Sequence, residues 1–453
     1  MTTLPNRPGH PAPQGSAPAR PGQVAFGGDP HPGPRRDDDR RVVVASVAIA
    51  IGYLAAAAIA AVGLGVPGST LAPWVPLHLA LAGGASTAIA GVMPFFAATL
   101  VAGHPADRRV RAWAVALVAG GAAIVSVRGL VPVWTALPPI GGVVFLGGIG
   151  LTAVALRTAG RRGLMVRRPI VTLAYTLALG NVALGAMLGT LYAANWLPVV
   201  ERWALLKPAH AWTNLIGFVS LVIVGTLLHF LPTVLGSRIV ARRSAILAVL
   251  GVALGSPLVV VGLALGWSPV AGGGAMLSAL GAWSLVMEAV WTIRARGRWT
   301  TDPGWHRVSA VGLSAGSAWF AIGVIMAAAR VLSEGATGDA WSTPLVGVPL
   351  AIGWVVQVLI GSWTHLIPAV GPGGPVLHAR RRAILGRLAT LRVVALNAGV
   401  GLACVGWPGS IVALAVAGLV LVAVSVLASV TLAVIALRAK VPAQAAAARP
   451  ASA

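Results

Sequence analysis

Apolar stretches of about twenty residues or more recur along the whole chain, separated by short clusters rich in arginine, proline and glycine. Twelve can be marked, at 42–66, 76–101, 111–130, 136–157, 169–194, 210–235, 243–265, 271–294, 307–331, 345–369, 388–406 and 409–437. Each is long enough to cross a bilayer as a helix. Helices are the natural solution, because lipid offers no partner for backbone N–H and C=O groups. A transmembrane barrel would show short alternating segments instead. The pattern predicts an all-α integral membrane protein whose twelve transmembrane helices fill residues 42–437.

The ends read differently. Residues 1–41 are rich in proline and glycine and close on the charged run Arg35-Arg36-Asp37-Asp38-Asp39-Arg40-Arg41. Such a segment buries too little apolar surface to fold, which predicts a disordered tail. It does not read as a signal peptide, since the first apolar run is too long and no short apolar region with a cleavage site precedes it. Residues 438–453 read as a second, short tail.

Composition supports the membrane reading. Of 453 residues, 57% are hydrophobic and only 9% charged, against roughly 25% charged in soluble domains. The net charge of +23 would suggest nucleic acid on a soluble protein, but here its location matters more. With the N-terminal tail in the cytoplasm, every Lys and Arg except Arg128, Arg202, Lys207 and Arg330 falls at a cytoplasmic end or loop. This is the positive-inside pattern. It predicts a multi-pass protein of the inner (plasma) membrane with both termini cytoplasmic, the lipid bilayer as partner, and no nucleic-acid role. The one cysteine, Cys404, excludes an internal disulfide and thiolate zinc or iron–sulfur sites, and no C-x-x-C-H haem attachment is present.

An internal repeat is the most informative feature. The second stretch contains Gly83-x-x-Ser86-x-x-x-x-Gly91-Val-Met-Pro-Phe95. The sixth contains Gly217-x-x-Ser220-x-x-x-x-Gly225-Thr-Leu-Leu-His229-Phe-Leu-Pro232, and the tenth Gly353 followed by Gly361-Ser-Trp-Thr-His365-Leu-Ile-Pro368. The offsets are 134 and then 136 residues. Recurrence on every fourth helix predicts three pseudo-repeated four-helix units around a common axis.

The histidines are the candidate chemistry. Gly225, His229 and Pro232 share one helix face, as do Gly361, His365 and Pro368. Small residues beside a histidine let a neighbouring helix or a flat cofactor approach, and packing is the simpler use of Gly91, Gly225 and Gly361. His229 and His365 fall near cytoplasmic ends, His78 and His210 near the opposite ends. His210 and His229 lie about 28 Å apart along one helix, so they cannot share a ligand. The natural pairs are His78 with His210 and His229 with His365. Interfacial histidines can also simply meet headgroups and water. His104, His306 and His378 fall in arginine-rich loops, and His10 and His31 in the tail; all five are expected to be solvated. Glu288 is the one carboxylate well inside a stretch, a candidate proton relay or a hydrogen-bonded packing residue. Asn181, Asn214, Gln357 and Asn397 suit interhelical hydrogen bonds. Arg128 and Arg330 are expected to snorkel or to meet a haem propionate or lipid phosphate.

Twelve stretches, a threefold repeat and histidines on the second, sixth and tenth resemble the catalytic subunit of haem–copper oxidases and nitric oxide reductases. The resemblance implies that His78 matches a haem ligand and His210 a copper ligand of that family. The chain departs from it elsewhere. The seventh stretch, Ser244-Ala-Ile-Leu-Ala-Val-Leu, lacks the family's histidine pair, and Pro349-Leu-Ala-Ile-Gly stands where the tenth would carry His-x-His. A complete binuclear centre is therefore not expected. Val75-Pro-Leu-His78-Leu-Ala-Leu-Ala-Gly83-Gly-Ala-Ser86 is also similar to the membrane region associated with actinobacterial copper nitrite-reductase-type multicopper oxidases. This chain has no cupredoxin domain and no blue-copper motif, so that resemblance implies a separate copper-containing redox protein as partner. The reading that follows is a redox-linked protein binding haem b at His78, His210, His229 and His365, with copper as the lesser alternative and enzymatic activity left open. A secondary transporter and a cofactor-free membrane assembly partner are the other readings.

Overall fold

A computed structural model describes residues 34–64, 68–131, 134–161, 170–240, 242–296, 301–370 and 374–440. Most of both tails, with Arg162, Arg167, Arg168 and Arg298, lies outside the described residues.

Twelve helices are long and apolar enough to cross a membrane: Arg41–Leu64, Val75–Leu100, Arg108–Val127, Leu137–Arg161, Ile170–Ala193, Trp203–Leu235, Arg243–Leu265, Ser268–Arg296, Gly304–Glu334, Gly338–Pro368, Ala389–Gly406 and Val412–Arg438. They are called spans 1 to 12, and no strand occurs among the described residues. The architecture is that of a polytopic membrane protein. Three starts differ most from the sequence reading, and that of span 10 lies at Gly338 where 345 was expected. The helix of span 1 begins at Pro34, inside the expected tail, because a helix held by an apolar segment propagates cheaply into flanking residues. Span 6 begins at Trp203 rather than 210, its helix running through Lys207 and Pro208.

The packing has a regular plan. In spans 1–4, 5–8 and 9–12 alike, the first packs on the second and third, the second on the third and fourth, and the third on the fourth. Spans 4 and 5, and spans 8 and 9, join one set to the next.

Spans 2, 6 and 10 share two local features. Each contains a widened π-helical segment, at Leu79–Ala85, Thr213–Ser220 and Val348–Val356. In the first two, a serine hydroxyl donates to the carbonyl five residues back, Ser86 to Leu81 at 2.9 Å and Ser220 to Leu215 at 2.8 Å. Such segments are rare and concentrate at functional sites. Each span also has a proline within its helix, Pro94, Pro232 and Pro368. A proline removes the N–H that would bond four residues back.

The motif glycines are notches for neighbouring helices. A Cβ on Gly91 would collide with Ser46 of span 1, on Gly225 with Ala174 of span 5, and on Gly361 would stand 3.2 Å from the Ser309 carbonyl of span 9. One level away, Gly83, Gly217 and Gly353 receive Tyr53, Asn181 and Trp319 from the same three spans. Those side chains then reach a third helix. Tyr53 Oη donates to Ala119 O at 2.6 Å, Asn181 Nδ2 to Ala253 O at 3.3 Å, and Trp319 Nε1 to Asn397 Oδ1 at 2.9 Å. Asn397 also accepts from Gln357 Nε2 at 3.2 Å, so three of the four expected amides do bond between helices. The fourth, Asn214, bonds within its own span to His210 O at 2.8 Å.

Filling a notch should be costly. Gly225→Leu is expected to destabilise by about 1–3 kcal/mol or more, because Ala174 cannot retreat without moving span 5. Gly180→Leu, on a face with open space, should change stability by about 0.5 kcal/mol or less. Thermal unfolding in detergent compares the two directly.

Candidate functional site

At the arginine-poor end, spans 2 and 6 bring His78 and His210 together. Their ring centroids are 6.1 Å apart and their planes 14° from parallel. Each ring is oriented by the backbone. His78 Nδ1 lies 3.1 Å from Trp74 O, and His210 Nδ1 lies 2.8 Å from Gly185 O on span 5. A carbonyl only accepts, so these contacts favour the tautomer with the proton on Nδ1, whose neutral form keeps a lone pair on Nε2; Asn214 Nδ2 also approaches His210 Nδ1, at 3.3 Å. Backbone support of this kind is what fixes the tautomer of metal-binding histidines.

The surrounding residues hold the rings in place. Gly189 lies against His210, where a Cβ would stand 2.9 Å from its Cε1, and Gly185 leaves the space taken by Asn214. Trp74 packs on His78 with centroids 4.7 Å apart, and Trp203 on His210 at 5.9 Å. Tyr192 stacks on Trp203 at 3.9 Å. His78 and His210 each stand immediately before, or one turn before, a π-helical segment.

His229 and His365 are arranged differently from the expected pair. His229 packs against Phe96 of span 2 with centroids 6.2 Å apart and planes at 79°. His365 packs against Phe230 of span 6 at 5.6 Å and 85°. Phe230 follows His229 directly, and successive residues on a helix point about 100° apart. The two imidazoles therefore turn to different phenylalanines, each on the preceding motif helix.

The sequence reading missed His306. It was expected to be solvated, but it lies in the first turn of span 9 and both its nitrogens are bonded. Nδ1 is 2.6 Å from Asp302 Oδ2, and Nε2 is 2.7 Å from Val234 O at the end of span 6. Asp302 also accepts two bonds from Arg296, at 2.6 and 2.7 Å. The hydrogen bonds from Arg296, and then those from His306, hold the Asp302 carboxyl below its ordinary value. The i, i+4 spacing of Asp302 and His306 on a helix start was the available signal. Trp305 and His306 in turn face His365, at 5.9 and 6.3 Å. His378 also departs from expectation, with a buried Nε2; His104 is exposed as expected.

Glu288 is bound on both oxygens. Arg242 donates to Oε2 at 3.0 Å and Ser244 to Oε1, while Arg242 also lies over the Trp291 ring. This ties the start of span 7 to span 8. Glu288→Gln should cost about 1–3 kcal/mol in thermal unfolding, since it leaves Arg242 without its counter-charge; the 28% exposure of that arginine keeps the cost below that of a fully buried pair. Arg330, expected to snorkel, pairs with Glu334 at 2.8 Å.

Among the described residues, no group of three or more His, Cys, Asp or Glu side chains is placed to hold a metal ion. The candidate donors at the arginine-poor end are the two imidazoles of His78 and His210. No family model matches the chain, and no curated protein matches it in sequence.

Proposed function

We propose that the protein is a b-type haem-binding, redox-linked membrane protein in which His78 and His210 would hold the haem iron. The carrying observation is the matched state of these rings. Both hold Nδ1 against a backbone carbonyl, and in that tautomer both would offer Nε2 to a ligand. Imidazole rings 6.1 Å apart are close enough for both to reach one metal ion, since nitrogen–metal bonds are about 2.0–2.1 Å long. Bis-imidazole ligation suits haem iron, whereas a closed structural zinc site needs four protein ligands. Bound haem would supply one-electron chemistry, and the chain's residues would fix ring orientation and exclude competing ligands.

The same reading treats spans 1–4, 5–8 and 9–12 as three quasi-equivalent units. Support comes from the shared packing plan, the three π-helical segments, the two glycine levels and the Phe96–His229 and Phe230–His365 contacts, which sit at matching offsets. His229 and His365 are then joints between units, outside the ligand set. The arginine-rich end faces the cytoplasm of an inner membrane with both termini inside, which leaves the haem near the outer face. There it would exchange electrons with a separate copper-containing redox protein, in line with the resemblance to degenerate haem–copper oxidase subunits.

The test is an optical spectrum of the full chain purified in detergent after expression with haem supplied. A Soret band and a sharp α-band on reduction are expected. A folded, colourless protein would overturn the proposal and favour the cofactor-free assembly partner.

A further inference from the structure

We infer that the helix Pro375–Leu385, which follows span 10 at the arginine-rich end, is a preformed binding platform for the headgroup of an anionic phospholipid. This goes beyond the haem reading and does not depend on it.

The helix is anchored on one face. Leu377, Arg381, Ile384 and Leu385 are buried, at the spacing of a single helical stripe. Arg381 Nε donates to Ala436 O of span 12 at 3.2 Å. Arg392 of span 11 donates to the carbonyls of Leu385 at 2.9 Å and Arg387 at 3.1 Å, and to Ser429 Oγ at 3.0 Å. A buried cation on the final carbonyls of a helix matches the negative end of its dipole. The platform is therefore fixed to spans 11 and 12 before any ligand arrives.

The other face carries the exposed guanidinium groups of Arg380, Arg382 and Arg387. Arg380 donates to Lys440 O at 2.7 Å, which orders the group without neutralising its charge, and neither this helix nor spans 11 and 12 contain an Asp or Glu. Arg382 is held over the Trp305 ring at 5.0 Å, which orders its guanidinium. Beside these arginines, Val376, Leu388 and Leu391 are 50%, 62% and 63% exposed. Leu388 is also held at φ +52°, a left-handed conformation that bulky residues rarely adopt. Guanidinium groups and exposed leucines side by side match a phosphate with acyl chains attached, since arginine pairs bidentately with phosphate oxygens and basic sites at membrane ends bind acidic headgroups. A free phosphate would satisfy the arginines and leave the acyl-chain side of the site unused.

The experiment uses the full chain in detergent and follows its thermal unfolding, with native mass spectrometry of retained lipid. Phosphatidylglycerol should raise the midpoint and be retained, while phosphatidylcholine and inorganic phosphate should do neither. An Arg380→Gln/Arg382→Gln/Arg387→Gln variant should lose the preference by roughly fivefold per arginine, and the matching Arg→Lys triple should keep most of it. Should the glutamine triple fail to fold, Arg387→Gln alone gives the comparison at smaller amplitude. An Arg109→Gln/Arg161→Gln variant at other span ends should behave as the wild type. Equal responses to the two lipids, a phosphate response as large as the phosphatidylglycerol one, or an equal loss in the Arg109/Arg161 variant would overturn the proposal.

Discussion

Purified His78→Ala and His210→Ala are each expected to retain about tenfold less haem than the parent protein, measured as haem per chain after extraction, while His229→Ala and His365→Ala retain it in full. The size of the loss follows from removing one of two ligands, where even supporting residues around a metal typically change affinity about 10–100-fold. The contrast between the pairs is the informative part. His229 and His365 are each packed edge to face with a phenylalanine, so their loss should appear in stability, by about 0.5–1.5 kcal/mol, and leave the spectrum unchanged. Haem loss in all four variants would instead indicate general unfolding. Loss in His229→Ala and His365→Ala alone would move the site to the other end of the bundle.

Asp302→Ala should be among the most destabilising single changes, by about 2–4 kcal/mol in thermal unfolding. One carboxylate receives two bonds from Arg296 and one from His306. Removing it leaves these cationic and basic groups against each other, a situation that costs about 3–5 kcal/mol when fully buried. The 20% exposure of Arg296 lowers the figure. The pH dependence has a definite sign. Because the folded pKa of Asp302 is depressed, chiefly by Arg296, its contribution is complete above the unfolded carboxylate value of about 3.9 and is lost as pH falls below that value through the folded pKa. The variant should therefore unfold with a shallower acid limb than the parent. Equal slopes would remove Asp302 from the account.

The spans were legible because apolar length alone determines them, and most of the observed starts and ends fall close to those read from composition. The exceptions are the start of span 6, where Lys207-Pro208 hides a helix that continues outward to Trp203, and the start of span 10, which reaches back to Gly338. Pairing His78 with His210 was legible from depth in the membrane and the repeat. The partners of His229 and His365 were less so, because depth says nothing about azimuth. What settles azimuth is Phe96 and Phe230, which carry the same 134-residue offset as the glycines and were available as a signal. His306 was misread because an arginine-rich flank suggests solvent, and local composition does not reveal that the end of span 6 supplies Val234 O.

The widened turns of spans 2 and 6 also constrain how the gene can vary. Each accommodates more residues per turn than an α-helix would, so losing a single codon there would let the helix relax to its ordinary pitch. The two flanks would keep their relative orientation, since a widened turn takes up an extra residue without turning the helix beyond it. A residue gained or lost in the ordinary α-helical turns has no such outlet and rotates one flank by about 100° relative to the other. In span 6, such a change between Ser220 and Gly225 would swing the His210 ring off the Gly185 carbonyl while the Gly225 notch stayed against Ala174. Thr213–Ser220 is therefore the one stretch between ring and notch where a codon can be lost without turning the imidazole away.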